Sequence, residues 1–137
     1  MNLKIKKFKF NANVYYEDTD AGGIVYHTSY LKFAERARTE LLKKIYPELL
    51  ETLKEANFFF VLKKIQVDFF KPCYLFDKLL VETSVLNIKR THLQMHQIIK
   101  RNNVKSCDIF LTLVWLNKIK NKPSKMSENL ISRFKNL

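Results

Sequence analysis

The chain has 137 residues, 47% of them hydrophobic, which is enough for one compact domain and too much for a disordered one. Its formal charge is +12, which suits phosphate-bearing or otherwise anionic partners, but the 25 basic residues are spread along the chain and form no nucleic-acid-binding block. No apolar run is long enough to cross a bilayer, and the start, MNLKIKKFKFN, lacks the apolar stretch and cleavage site of a secretory signal. The expectation is a single cytoplasmic domain over 1–137 with no membrane insertion.

In chain order, FKFNANVYY at 8–16 alternates and places Phe8, Phe10, Ala12, Val14 and Tyr16 on one half-buried strand face. An acid-glycine loop follows. From about Ser29, apolar residues recur at three- and four-residue steps through Tyr30, Phe33, Ala34, Ala37, Leu41 and Ile45, which predicts a long helix with a broad apolar stripe. Thr28 or Ser29 is placed to cap it, and Pro47 to end it. ELLETLKEA at 48–56 can form a further short helix. The segments at 58–70, 78–90, 92–101 and 104–118 read as strands, the last strongly apolar and therefore interior. Asn102-Asn103 marks a hairpin turn, and the basic tail carries one short helix after Pro123. One helix with one apolar face needs a sheet to cover it, so the fold class is α+β: a long central helix against an antiparallel sheet of about five strands. The sheet edges left open suit pairing between subunits.

The chemistry concentrates in YYEDTDAGGIVYH, residues 15–27. The chain has only two glycines, Gly22 and Gly23, and both stand beside Glu17, Asp18 and Asp20. Two glycines let a ligand approach the backbone, and the first N–H groups of the following helix have no intrahelical partner. A carboxylate beside such donors is a general base or nucleophile next to a charge-stabilising site, and His27 can orient a substrate or move a proton. The competing reading is a tight turn in which Asp18 and Asp20 accept backbone hydrogen bonds. A calcium loop fits poorly, because Gly22 and Ser29 fall where ligands are required. A DxD phosphatase would need a βαβ order that is absent here. His92 and His96, on a strand, stand about 13 Å apart and cannot share a metal. Cys73 and Cys107 read as reduced core thiols. No metal and no cofactor is expected.

Residues 15–40, YYEDTDAGGIVYHTSYLKFAERARTE, closely resemble the opening segment of hot-dog-fold acyl-CoA thioesterases of the 4-hydroxybenzoyl-CoA thioesterase type, and most of all their Tol–Pal-associated (YbgC-type) subgroup. A weaker resemblance continues through residues 61–83. It implies a hot-dog fold, assembly as a homodimer or homotetramer with sites at the dimer interface, and hydrolysis of acyl-CoA. Asp20 would be the catalytic carboxylate, Tyr16 and His27 its partners, and Asp18 structural. Gly22, Gly23, Ile24, Val25 and Tyr26 would contact substrate, and helix-end amides would polarise the thioester carbonyl. Acyl carrier protein is an alternative partner, and Lys63, Lys64, Lys89 and Arg90 are candidates for meeting coenzyme A phosphates. Lys63 and Tyr74 replace arginines common in the family. Glu35 and Arg36 read as ordinary helix charges, and Trp115 and Phe58–Phe60 as core or interface. The competing function is a non-catalytic basic module that binds RNA, acyl carrier protein or an envelope-complex partner.

Overall fold

The computed structural model describes residues 6–49, 51 and 57–137. Alternation produces β1 (Phe8–Asn13), and the long apolar stripe produces α1 (His27–Ile45). Four strands follow: β2 (Phe58–Phe69), β3 (Lys78–Ile88), β4 (His92–Arg101) and β5 (Val104–Asn117). A two-residue strand, β6 (Lys122–Pro123), folds back on β5, and α2 (Glu128–Lys135) closes the chain. The sheet runs antiparallel in the order β1-β3-β4-β5-β2, so β1 and β2 are its edges and β5 is interior. The helix expected over 48–56 falls largely outside the described residues.

Tyr30, Phe33, Ala34, Ala37 and Leu41 of the predicted stripe are all buried, and α1 packs against β1, β3 and β4. The two alanines let the helix approach the sheet closely. Each large side chain on this face contributes about 1.5–3 kcal/mol of burial. The sheet answers with Val81, Leu93, Met95, Ile109 and Leu111, each on the inward side of its strand. Asn102 and Asn103 take φ of 49° and 63°, the left-handed conformation that a two-residue hairpin between Arg101 and Val104 demands.

Two local expectations are corrected. β1 ends at Asn13, and Tyr16 does not continue its buried face; it lies in a 3-10 turn over Tyr16–Asp18 and is 74% exposed. The helix begins at His27, ahead of Thr28 and Ser29, with Tyr26 as its N-cap and no side-chain cap bond. The Tyr26 N–H donates to Asp18 O at 2.9 Å, so closure of the preceding loop holds Tyr26 extended where a capping side chain would otherwise act. The five strands expected are all present, and β6 adds a sixth that is too short to leave a periodic trace. At the other end of α1 the Tyr46 N–H closes on Leu42 O at 2.7 Å, just before Pro47.

Candidate active site

The acid-glycine loop is closed by its own bonds and tied to residues 73–75 by Val25 N–H to Cys73 O and Leu75 N–H to Gly23 O, each at 2.9 Å. Thr19 and Val25 form an isolated antiparallel bridge that folds 18–20 back against 24–26. Asp18 is 1% exposed; its Oδ2 accepts from Tyr15 N–H at 2.9 Å, and its carbonyl accepts from Tyr26 N–H. Its carboxylate is therefore used in shaping the turn. Asp20 is exposed, and its Oδ1 accepts from Gly22 N–H at 2.9 Å and Ile24 N–H at 3.1 Å. Its Oδ2 has no hydrogen-bond partner among the described residues. One oxygen anchors the carboxylate and the other is left open.

The two glycines do different things. Gly23 sits at φ +77°, where a side chain would strain the backbone, and a Cβ there would meet nothing within 4 Å. Gly22 has ordinary backbone, and a Cβ there would come 3.4 Å from Asp20 Oδ1.

Most loop amides are already engaged. The N–H groups of Gly22 and Ile24 serve Asp20 Oδ1, that of Gly23 serves Asp20 O, and that of Val25 reaches Cys73 O. The helix start is different: among the described residues, the N–H groups of His27 and Thr28 have no partner. The helix dipole adds partial positive charge at the same place. His27 is exposed, with its ring 4.3 Å from that of Tyr26. Tyr16 stands at the loop entrance with its ring edge-on to Phe76 at 5.7 Å.

Beside the loop is a cleft of about 290 Å³ lined by Ile24, Val25, His27, Tyr30, Phe69, Phe70, Lys71 and Pro72. The segment 69–72 was not singled out from the sequence, because nothing local marks it. It reaches the cleft through sheet register, Phe69 pairing with Cys107 and Ile24 bridging to Tyr74. A larger hollow of about 590 Å³ lies near the C-terminal end of α1, against Leu42, Tyr46 and Phe59, and contains none of the loop groups. Lys89 and Arg90 lie in the β3–β4 turn, at the far end of the sheet from this loop.

The two thiols and the Tyr30 hydroxyl are poorly placed for nucleophilic attack. Cys73 and Cys107 are fully buried, and burial pushes the Cys107 thiol up to about 12. Burial, reinforced by the neighbouring Cys73 thiol, likewise holds the Tyr30 hydroxyl above the ordinary phenol range. That hydroxyl accepts from Cys73 N–H at 3.1 Å and so ties the helix to the 69–74 segment. No group of three or more metal-binding side chains occurs among the described residues, and no described helix is long and apolar enough to cross a membrane.

A long helix laid on an antiparallel sheet of this strand order, with an acid-bearing loop at the helix start, defines the hot-dog thioesterase class. Residues 14–134 match the family model of the thioesterase-like superfamily, and the chain belongs to that superfamily as a thioester hydrolase. It is 35% identical over 129 residues to the acyl-CoA thioester hydrolase YbgC of Escherichia coli, covering 93% of this chain and 96% of that protein. Against the acyl-CoA thioesterase YbgC of Haemophilus influenzae it is 43% identical over 97 residues, 71% of each chain. Among solved structures, a probable thioesterase from Bartonella henselae superposes with a TM-score of 0.81 at 26% identity, over 89% of this chain and all of that one. A thioesterase from Thermus thermophilus in complex with coenzyme A and zinc gives 0.81 at 25% identity, over 93% and 91%.

Proposed function

We propose that the chain hydrolyses acyl-CoA thioesters and that Asp20 carries the reaction. The observation behind this reading is the division of labour within one carboxylate: Oδ1 is fixed by two backbone amides while Oδ2 is open, in a loop beside a largely apolar cleft. The acyl group would lie among Ile24, Val25, Phe69 and Phe70. The thioester carbonyl would face the unpartnered His27 and Thr28 amides, whose charge and direction suit a developing oxyanion; loss of one such donor in other enzymes costs roughly 3 kcal/mol of barrier. Asp20 Oδ2 would attack the carbonyl or take the proton of a water, and the coenzyme A thiolate leaves without a strong acid. Tyr16 and His27 flank the loop and would position the substrate. Lys71, at the cleft wall, is the cation best placed within this subunit for the anionic end of the ligand. The relatives named as acyl-CoA thioesterases support this substrate class.

The active unit in this reading is a homodimer. Among the described residues the β2 edge pairs only with β5 and exposes Val61 and Leu62, and the rings of Phe69, Phe70, Tyr74 and Phe76 are exposed as well. A second copy pairing along β2 would cover this surface and enclose the substrate.

The test is a thiol-release assay on acyl-CoAs from short to long chain, with wild type and Asp20→Asn compared at equal folded concentration. Turnover that disappears with Asp20 supports the assignment. Undiminished turnover in the variant would sink it. Light scattering on the same samples reads the dimer.

A further inference from the structure

Two turns meet at the end of the sheet opposite the active-site loop. The first joins β3 to β4 and carries Lys89 and Arg90. The second joins β5 to β6 and runs into residue 125, carrying Lys118, Lys120, Lys122 and Lys125. They are locked side by side: Trp115 N–H donates to Thr91 O at 2.7 Å and Met126 N–H to Arg90 O at 2.8 Å. All six cations are exposed, and none forms an ion pair among the described residues. No carboxylate occurs in 86–92 or 115–127, the next being Glu128 at the start of α2.

The second turn is held in shape. Asn117 Oδ1 accepts from Ile119 N–H at 3.0 Å and Lys120 N–H at 3.1 Å, and Asn121 takes a left-handed φ of 52°. The lysine backbone is therefore preorganised. At its tip, between Lys118 and Lys120, stands Ile119, 73% exposed. A preorganised turn that presents one aliphatic side chain between two exposed lysines, neither of them in an ion pair among the described residues, does nothing for the core.

We propose that this tip is a docking surface for an anionic phospholipid bilayer. The lysines would meet the headgroup charge while Ile119 enters the interfacial layer, the two forces that together hold peripheral proteins on membranes. Single-stranded nucleic acid fits less well, since it calls for exposed aromatic platforms; the one tryptophan here, Trp115, is buried. Along β5 the tip lies about 33 Å from the Cys107 end of the strand, at about 3.3 Å per residue. Docking would leave the loop of the same subunit facing away from the lipid. This inference stands apart from the assignment of Asp20.

The test is co-sedimentation of the full chain with vesicles of equal parts phosphatidylglycerol and phosphatidylcholine, against pure phosphatidylcholine, at low and high salt. Binding should require the anionic lipid and weaken with salt. Changing Lys118, Lys120 and Lys122 together to Gln should lower affinity about a hundredfold, near fivefold per lysine. Ile119→Ser should lower it about tenfold. Both variants should keep the wild-type melting temperature and the wild-type KM for a short-chain acyl-CoA. Three results would overturn the proposal. One is equal binding to both vesicle types. Another is capture by a homopolymer RNA with Ile119→Ser inert. The third is unchanged vesicle binding with a raised KM, which would assign the tip to coenzyme A phosphates instead.

Discussion

The acid-glycine loop and the polar cluster beneath α1 use similar groups to opposite ends. In the loop, every bond to Asp18 and Asp20 comes from within residues 15–26, and one carboxylate oxygen is left open at the surface. Under the helix, Gln97 of β4 is fully buried and saturated. Its Nε2 donates to Ala34 O and Thr83 Oγ1, each at 2.9 Å, and its Oε1 accepts from Arg38 Nη1 at 2.9 Å. Burial pulls the Arg38 guanidinium below its usual pKa, and the amide it meets carries no countercharge. Local bonds that engage one carboxylate oxygen leave the other available to a ligand. Long-range bonds that engage both ends of a buried amide dock a helix.

The largest effect that would break this contrast is at Asp20. Asp20→Asn keeps an Oδ1 acceptor for Gly22 and Ile24 but removes the charge, so turnover should fall about a hundredfold or more with little change in melting temperature. Thiol release and thermal unfolding on one preparation read both. Gln97→Ala should do the reverse. It strips three hydrogen bonds and leaves Arg38 without its partner, costing about 2–4 kcal/mol of stability by urea unfolding, with kcat per folded molecule retained. A loss of kcat there would join the two regions into one machine.

Smaller changes sharpen the contrast inside the loop. Gly23→Ala should cost about 1 kcal/mol, because only its positive φ is penalised and the space for a methyl group exists. Gly22→Ala should cost less stability, yet it places a methyl group against Asp20 and should show first in kcat. Unfolding curves and steady-state rates on the pair separate strain from chemistry.

The smallest effect at neutral pH belongs to Cys107. The folded chain holds this proton up to about 12, while the unfolded chain releases it near 9.0, so unfolding releases a proton between those values. Its stabilising contribution is complete below pH 9.0 and is lost as pH rises toward 12. Cys107→Ala should therefore flatten the alkaline fall in melting temperature, whatever it does to stability at pH 7. Thiol reagents should modify wild type only as fast as it opens.

Periodicity in the chain discloses α1, the five long strands and the Asn102-Asn103 turn, because each of these is governed by neighbours a few residues away. The loop reads as a site for the same reason: its acids and glycines are adjacent. The Gln97 cluster does not read, since its partners lie 59 and 63 residues off. Phe69–Pro72 enter the cleft only through strand register, and the start of α1 moves to His27 because the bond from Tyr26 N–H to Asp18 O, closed eight residues apart, fixes where the loop ends.

The sheet order has a consequence for synthesis. The apolar face of α1 is complete at Ile45, but β3 and β4, which pack against it, are made only later, and β4 ends at Arg101. At 5–20 residues per second a ribosome needs roughly 3–11 s to make the intervening chain. Throughout that interval Tyr30, Phe33 and Leu41 have no sheet to face, and β1 waits still longer in sequence terms, its Phe8 destined for Thr83. The nascent chain thus presents a greasy helix to water before any fold exists to hide it.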